Sequence, residues 1–216
     1  MIELAIFDLD GTLLNTIEDI SVSLNKSLKY NGLPTHSLET VLKMVGNGVD
    51  ILIQRAVNPY FDKFDDVKKY YLDDYNKNCG INTKPYPGIN EMIKSLKSMG
   101  IKIAVLSNKP HKDTVTVMDT YFKGVFDYAI GKKDCNRIKP HSDGVIEVMN
   151  YLNVKNNNKV VYIGDSEVDV QTGINAKLKT IACTWGFRTR DDLKGADYII
   201  DKASEIVNVI KEINNG

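Results

Sequence analysis

The chain has no surplus charge of either sign: 28 Lys and Arg balance 28 Asp and Glu. That balance removes the electrostatic reason to expect a nucleic acid or an anionic membrane surface as a partner. Long apolar runs are missing too. The longest, such as Ile101 to Leu106 with its one lysine, fall well short of the roughly 20 residues a membrane helix needs. Met1-Ile2-Glu3-Leu4 leads straight into a strand-like segment with no basic stretch before it, so no secretory signal is expected. Cysteine is scarce, and Cys79, Cys135 and Cys183 are scattered. They suit neither a disulfide framework nor a closely spaced metal site, which leaves incidental thiols in a reducing cytoplasm as the expectation. His36, His111 and His141 are dispersed, and none is given a catalytic role. No internal repeat is visible, and Asn156-Asn157-Asn158 is the one low-complexity run.

What is present is enough apolar residue, 43% of 216, for one core or a core with a small satellite. Two regimes follow one another. Residues 83–214 alternate β-rich and amphipathic segments. Ile101 to Leu106 runs into Ser107-Asn108, Val160 to Ile163 into Gly164-Asp165, Thr180 to Cys183 into Thr184, and Tyr198 to Ile200 into Asp201. Between them, Ile89 to Met99, Lys112 to Tyr121, Asp143 to Leu152 and Ser204 to Ile213 carry apolar residues at helical spacing. Such alternation predicts a parallel sheet covered on both faces, with Leu4 to Phe7 as its first strand.

Residues 16–82 read as helical throughout. Asn15 and Glu18 have capping-box spacing and predict a helix start, with an end near Gly32-Leu33-Pro34. Ser37 predicts the next cap, Gly46-Asn47-Gly48 a break, Val49 to Val57 a third helix and Asp66 to Lys77 a fourth. The expected fold is therefore α/β. A Rossmann-like parallel core of residues 1–15 and 83–216 carries an inserted all-α cap of residues 16–82.

Ligands of open α/β sheets sit beyond the carboxyl ends of the strands, and polar residues gather there. Asp8 and Asp10 stand at i and i+2 after the first strand, so both can face one crevice. Two close carboxylates repel, and a hard divalent cation such as magnesium relieves that. Gly11 allows a sharp turn and offers an N–H to an anion. Taken alone, Asp-x-Asp-Gly is also what an ordinary turn looks like. The other strand ends argue against that. Ser107 and Asn108 supply a hydroxyl and backbone donors for phosphate oxygens. Lys139 precedes Pro140 at an expected helix start and brings an ammonium. Asp165 can complete a metal site, and Asp169 can orient Lys139 or a metal-bound water.

Asp8-Leu9-Asp10-Gly11-Thr12-Leu13, Ser107, Lys139-Pro140 and Gly164-Asp165-x-x-x-Asp169 resemble the four motifs of the haloacid dehalogenase superfamily, across the whole core. Within it the sequence is most similar to phosphoglycolate phosphatases. That likeness rests on Val45 to Val49 with Arg55-Ala56, on Tyr86-Pro87-Gly88, on Ser107-Asn108-Lys109-Pro110, and on Lys139-Pro140-His141 and Gly164-Asp165-Ser166. The resemblance implies a magnesium-dependent phosphatase acting on a small phosphomonoester. Asp8 is then the nucleophile and Asp10 the acid and base, with Ser107 and Lys139 on the phosphoryl oxygens. Asp8, Asp165 and the Asp10 carbonyl hold the metal. Asn15 departs from the acidic residue common at its position, and Ser107 stands where a threonine is frequent; either hydroxyl serves. A cytoplasmic monomer or homodimer without nucleic acid or membrane partner is expected.

Other members of the superfamily are the competing expectations: a phosphosugar mutase, a pyrophosphatase, a nucleotidase, or a phosphonatase that would need Lys43 as its cap lysine. A non-catalytic phosphate-binding protein is disfavoured because Asp8 and Asp10 are both present. For the group beyond the phosphate, Asn47 in the Gly46-Asn47-Gly48 turn is the first candidate, ahead of Lys43 and Arg55.

Overall fold

The computed structural model describes residues 1–133 and 137–215, so Cys135 lies outside the described residues. Its main sheet holds β1 (Leu4–Phe7), β4 (Lys102–Pro110), β5 (Tyr128–Lys132), β6 (Val160–Gly164), β7 (Lys179–Cys183) and β8 (Tyr198–Ile200). The order is β5-β4-β1-β6-β7-β8, and each neighbouring pair is parallel. The chain moves outward from β1 through β4 to β5, then returns to the other side of β1 with β6. The order in which strands are added therefore reverses between β1 and β6, which places the ligand crevice there.

Period-2 alternation decides which residue faces which layer. Ala5 and Phe7, Ile103 and Val105, and Val161 and Ile163 pack on one side. They meet α5 (Ile89–Ser98), α6 (His111–Tyr121) and α9 (Glu205–Asn215) through Met92, Val117 and Ile206. Leu4 and Ile6, Ala104 and Leu106, and Val160 and Tyr162 pack on the other. There they meet Val145 and Val148 of α7 (Asp143–Tyr151) and Ala176 just beyond α8 (Glu167–Asn175). Strands buried on both faces explain the nearly continuous apolar runs of β1 and β6.

The second regime forms α1 (Ile17–Tyr30), α2 (Leu38–Met44), α3 (Val49–Val57) and α4 (Phe64–Asn78). These helices close around their own buried cluster, in which Leu24, Leu28, Ile53, Val67 and Tyr75 are central. The two chain connections between helices and sheet run side by side as a ribbon, β2 (Leu14–Asn15) against β3 (Lys84–Pro85), with Asn15 opposite Lys84. Asp19 of α1 ties down the returning connection by accepting from the backbone N–H groups of Gly80, Asn82 and Thr83 and from the Thr83 hydroxyl.

Several local expectations need correction. Asn15 and Glu18 form no capping box: Asn15 is consumed by the ribbon, and α1 starts after Thr16 without a side-chain cap. Ser37 does cap α2, accepting from the Thr40 N–H. Lys139-Pro140 does not open a helix; α7 begins at Asp143. β4 continues past Ser107-Asn108 to Pro110. β5 and α8 escaped the periodicity reading. β5 is five residues with a glycine, Tyr-Ala-Ile-Gly-Lys. α8 shows only weak amphipathic contrast because Asp169 and Thr172 are buried beside Val168 and Val170. Among the described residues, no helix is long and apolar enough to cross a membrane.

Candidate active site

Asp8 is the first residue beyond β1, and its N–H donates to the Ile163 carbonyl of β6, which fixes it at the switch point. Asp165 follows β6 immediately. Its Oδ1 accepts from the Thr12 hydroxyl at 2.8 Å and its Oδ2 from the Phe187 N–H at 2.8 Å. Asp169 sits one turn into α8, where it forms a capping box with Ser166. Ligand oxygens of Asp8, Asp165 and Asp169 lie within 4.8 Å of one another, and all three residues are buried.

One ammonium joins this group. Lys139 Nζ is 2.8 Å from Asp8 Oδ1 and 2.7 Å from Asp169 Oδ1. Burial alone would lower its pKa, but Asp169 and Asp8 outweigh that and hold it well above the ordinary lysine value. The carboxylates are in surplus. Burial, with the charge of Asp169 added, pushes Asp8 well up and Asp165 to about 7. A buried, all-oxygen donor set with excess negative charge fits a hard cation. Asp169 accepts from Lys139, from Ser166 N–H and Oγ–H and from the Tyr162 hydroxyl, more donors than reach Asp8 or Asp165, so those two keep more free lone pairs for a cation.

Glycines make the crowding feasible. A Cβ at Gly164 would lie 2.2 Å from the Asp169 Cβ, and one at Gly186 2.3 Å from the Asp165 Cβ. Gly11 has φ +94°, and a Cβ there would meet Asp165 Oδ2 at 2.3 Å. Its expected role changes, because the Gly11 N–H donates to the Leu14 carbonyl and is not offered to an anion. Gly11 is needed for close approach.

Asp10 faces the same cleft as Asp8, yet its carboxylate lies outside the triad. Both its oxygens accept from Lys109 Nζ, at 3.0 and 2.9 Å. Lys109 is buried, and Asp10 more than offsets the desolvation that would depress the ammonium. Ser107, also buried, lines the cleft, and its Oγ accepts from the Lys109 N–H. Asn108 works as a bracket. Its Oδ1 accepts from the Lys139 N–H, and its Nδ2 donates to the Lys139 and Gly46 carbonyls. It thereby positions Lys139 and meets the helical layer.

The cleft, together with the solvent at its mouth, spans about 570 Å³. Its floor is the strand-end cluster. Its roof comes from Leu52, Tyr71, Tyr75 and the turn between α2 and α3. That turn contributes Gly46 and Gly48, whereas Asn47 is not among the lining residues. Lys43 is exposed and pairs with Glu39 one turn away, so the lysine a phosphonatase would need is a surface residue here. Arg55 donates to the Met44 carbonyl. Arg188, which follows β7, donates to the Leu42 and Val45 carbonyls and locks the end of α2 to the sheet layer. None of the three histidines lines this cleft.

Lys109, Tyr71 and Tyr75 went unrecognised as site residues. Lys109 stands two residues after Ser107, the spacing that relates Asp8 to Asp10, so extending β4 by one pair would have revealed it. The two tyrosines carry no such signal, since one turn of separation on a helix is also ordinary core spacing.

Acids and a lysine thus gather at the switch point of a parallel α/β sheet under a helical roof. The model of the haloacid dehalogenase-like hydrolase family matches residues 5–183. The chain belongs to that family and is an enzyme of its phosphatase type. It is 31% identical over 95% of its length to a phosphoglycolate phosphatase of Aquifex aeolicus, covering 95% of that protein. A second phosphoglycolate phosphatase, from Psychrobacter arcticus, is 28% identical over 89% of this chain and 87% of the relative. Among solved structures, a Lactobacillus delbrueckii protein provisionally assigned as a phosphoglycolate phosphatase superposes with TM-score 0.90 at 32% identity. The match covers 96% of this chain and 98% of that one.

Proposed function

We propose that this chain is a magnesium-dependent phosphatase that hydrolyses a small phosphomonoester through an aspartyl-phosphate on Asp8, with phosphoglycolate as its preferred substrate. The single observation that carries this is the placement of Asp8. A nucleophilic carboxylate, a buried ammonium 2.8 Å away and a second acid at i+2 meet at the switch point of the sheet. The curated relatives support the choice of substrate. The working division is a core of residues 1–15 and 83–216 and a cap of residues 16–82.

In the first half-reaction an Asp8 oxygen attacks phosphorus in line, and the bond to the ester oxygen breaks. The departing oxygen takes a proton from the Asp10 carboxyl. In the second, water attacks the phosphorylated Asp8, Asp10 accepts the water's proton, and the Asp8–phosphorus linkage opens to give phosphate and the free carboxylate. Lys139 and the Ser107 hydroxyl hold the equatorial oxygens. Asp8, Asp165 and the Asp10 carbonyl would hold magnesium, which when bound neutralises phosphoryl charge. Asp169 keeps the Lys139 ammonium aimed at Asp8. The helical roof, closing over bound substrate, excludes bulk water from the phosphorylated carboxylate. The working picture is a cytoplasmic monomer or homodimer.

The test is a panel of small phosphomonoesters assayed with magnesium. Phosphate release, highest for phosphoglycolate, is the expected outcome. A folded protein that turns over none of them contradicts the reading.

A further inference from the structure

The geometry points to Lys109 and Tyr75 as the subsite that reads a substrate carboxylate one carbon away from the phosphate ester. This rests on the phosphatase reading above and adds to it a residue-level basis for selecting anionic substrates.

Charge comes first. Asp8, Asp10 and Asp113 already line the cleft, so a second anionic group on the substrate needs a cation of its own. Among the described lining residues there are two cations, Lys139 and Lys109. Lys139 is held between Asp8 and Asp169 and belongs to the phosphoryl site. Lys109 is left. An ammonium has three N–H donors. Two go to the Asp10 oxygens, and among the described residues the third has no hydrogen-bond acceptor.

Distance comes second. Asp10 is the acid that serves the ester oxygen, and Lys109 Nζ is 2.9 Å from it. In a phosphorylated 2-hydroxy acid the carboxylate is one carbon from that same oxygen. The cation beside the acid is thus beside the carboxylate. Arrival of the carboxylate at Lys109 gives the ammonium a new acceptor and leaves the Asp10 carboxyl to the ester oxygen. Selection of the substrate and release of the acid then occur at one atom.

Tyr75 supplies an independent observation. It lines the cleft from α4, is 1% exposed, and its hydroxyl has no hydrogen-bond partner. Its ring centroid is 4.7 Å from Lys109 Nζ. A buried hydroxyl left without a partner is costly, and in this proposal the bound carboxylate also supplies it with an acceptor. The turn glycines Gly46 and Gly48 line the same cleft, but neither carries a charge.

The experiment measures binding apart from turnover. In an Asp8→Asn background with magnesium, calorimetry compares 2-phosphoglycolate with ethyl phosphate, which has similar size and no carboxylate. The readout is the ratio of their dissociation constants. Lys109→Met should reduce the preference for phosphoglycolate by about 10- to 100-fold, the usual worth of a hydrogen bond to a charged group. Lys109→Arg should restore part of it. Tyr75→Phe removes only an unpartnered hydroxyl, so the fold should survive, and the preference should drop roughly 3- to 10-fold. A parent protein that binds both ligands equally overturns the proposal. So does a ratio that is unchanged in both Tyr75→Phe and Lys109→Met. The phosphatase reading is judged separately, by whether the wild-type protein with magnesium hydrolyses an aryl phosphate.

Discussion

Lys139 and Asp169 form an ion pair of 2.7 Å in which neither side chain is more than 3% exposed. Buried charges at this separation are costly to leave unmatched, and Lys139 has Asp8 as its second partner. The lysine is thereby held between Asp169 and the proposed nucleophile Asp8.

Asp169→Asn tests that role. It keeps shape but removes the charge that positions the ammonium and accepts from Ser166. Breaking a buried pair costs several kcal/mol, but relief of repulsion with Asp8 and Asp165 offsets part, so a stability loss of about 2 kcal/mol is expected. The catalytic efficiency should fall about 100-fold, the effect typical of a supporting partner. Denaturant unfolding and steady-state kinetics read the two. Unchanged kinetics would remove Asp169 from the account.

Gly186→Ala probes crowding around Asp165. The new Cβ would stand 2.3 Å from both Cβ and Oδ2 of Asp165. Overpacking of this kind costs about 1–3 kcal/mol, and here it also displaces a proposed metal ligand. Magnesium should stabilise the variant less than the wild type in thermal melts at equal concentration. An equal shift for both proteins would show that Asp165 is not a ligand.

The surplus of buried carboxylate predicts a pH dependence for the metal-free protein. Burial and the Asp169 charge push Asp165 up to about 7, and the same two causes hold Asp8 well above the ordinary carboxylate value. A carboxyl whose folded pKa exceeds its unfolded value binds more protons when folded. Its stabilisation is complete below the unfolded value near 4 and is lost as pH rises through 7. Bound magnesium replaces the missing protons. The melting-temperature gain from magnesium should therefore grow from pH 6 to pH 8. A gain that is flat or shrinks over that range contradicts the assignment of Asp8 and Asp165 as ligands.

Much of this was readable in the chain. The alternating and continuous apolar runs of β1, β4 and β6 reflect burial on both faces, and strand ends in an open sheet converge on one crevice. Asp8, Ser107, Lys139 and Asp165 could therefore be placed beside one another before any contact was known. The pairings that tune them were not readable. Lys109 and Asp10 lie 99 positions apart and meet through sheet topology. Gly11 looked like an anion-binding turn, because nothing local tells that Leu14 takes its N–H or that Asp165 crowds its Cα. Asn47 looked exposed to substrate, because which side of a turn faces a cleft is set by how α2 and α3 pack. Arg188 could not be assigned to the end of α2 for the same reason, since its partners lie 146 and 143 positions away.

The central claim is that the phosphoryl group passes through Asp8. Asp10→Asn should slow the second half-reaction, in which Asp10 activates water, while an aryl phosphate with its good leaving group still completes the first. The Asp10→Asn protein, mixed with magnesium and an aryl phosphate and quenched in acid, should carry the mass of one phosphoryl group on the peptide that contains Asp8. The Asp8→Asn, Asp10→Asn double variant should carry none. Label on another residue, or wild-type turnover that survives Asp8→Asn, would contradict the account.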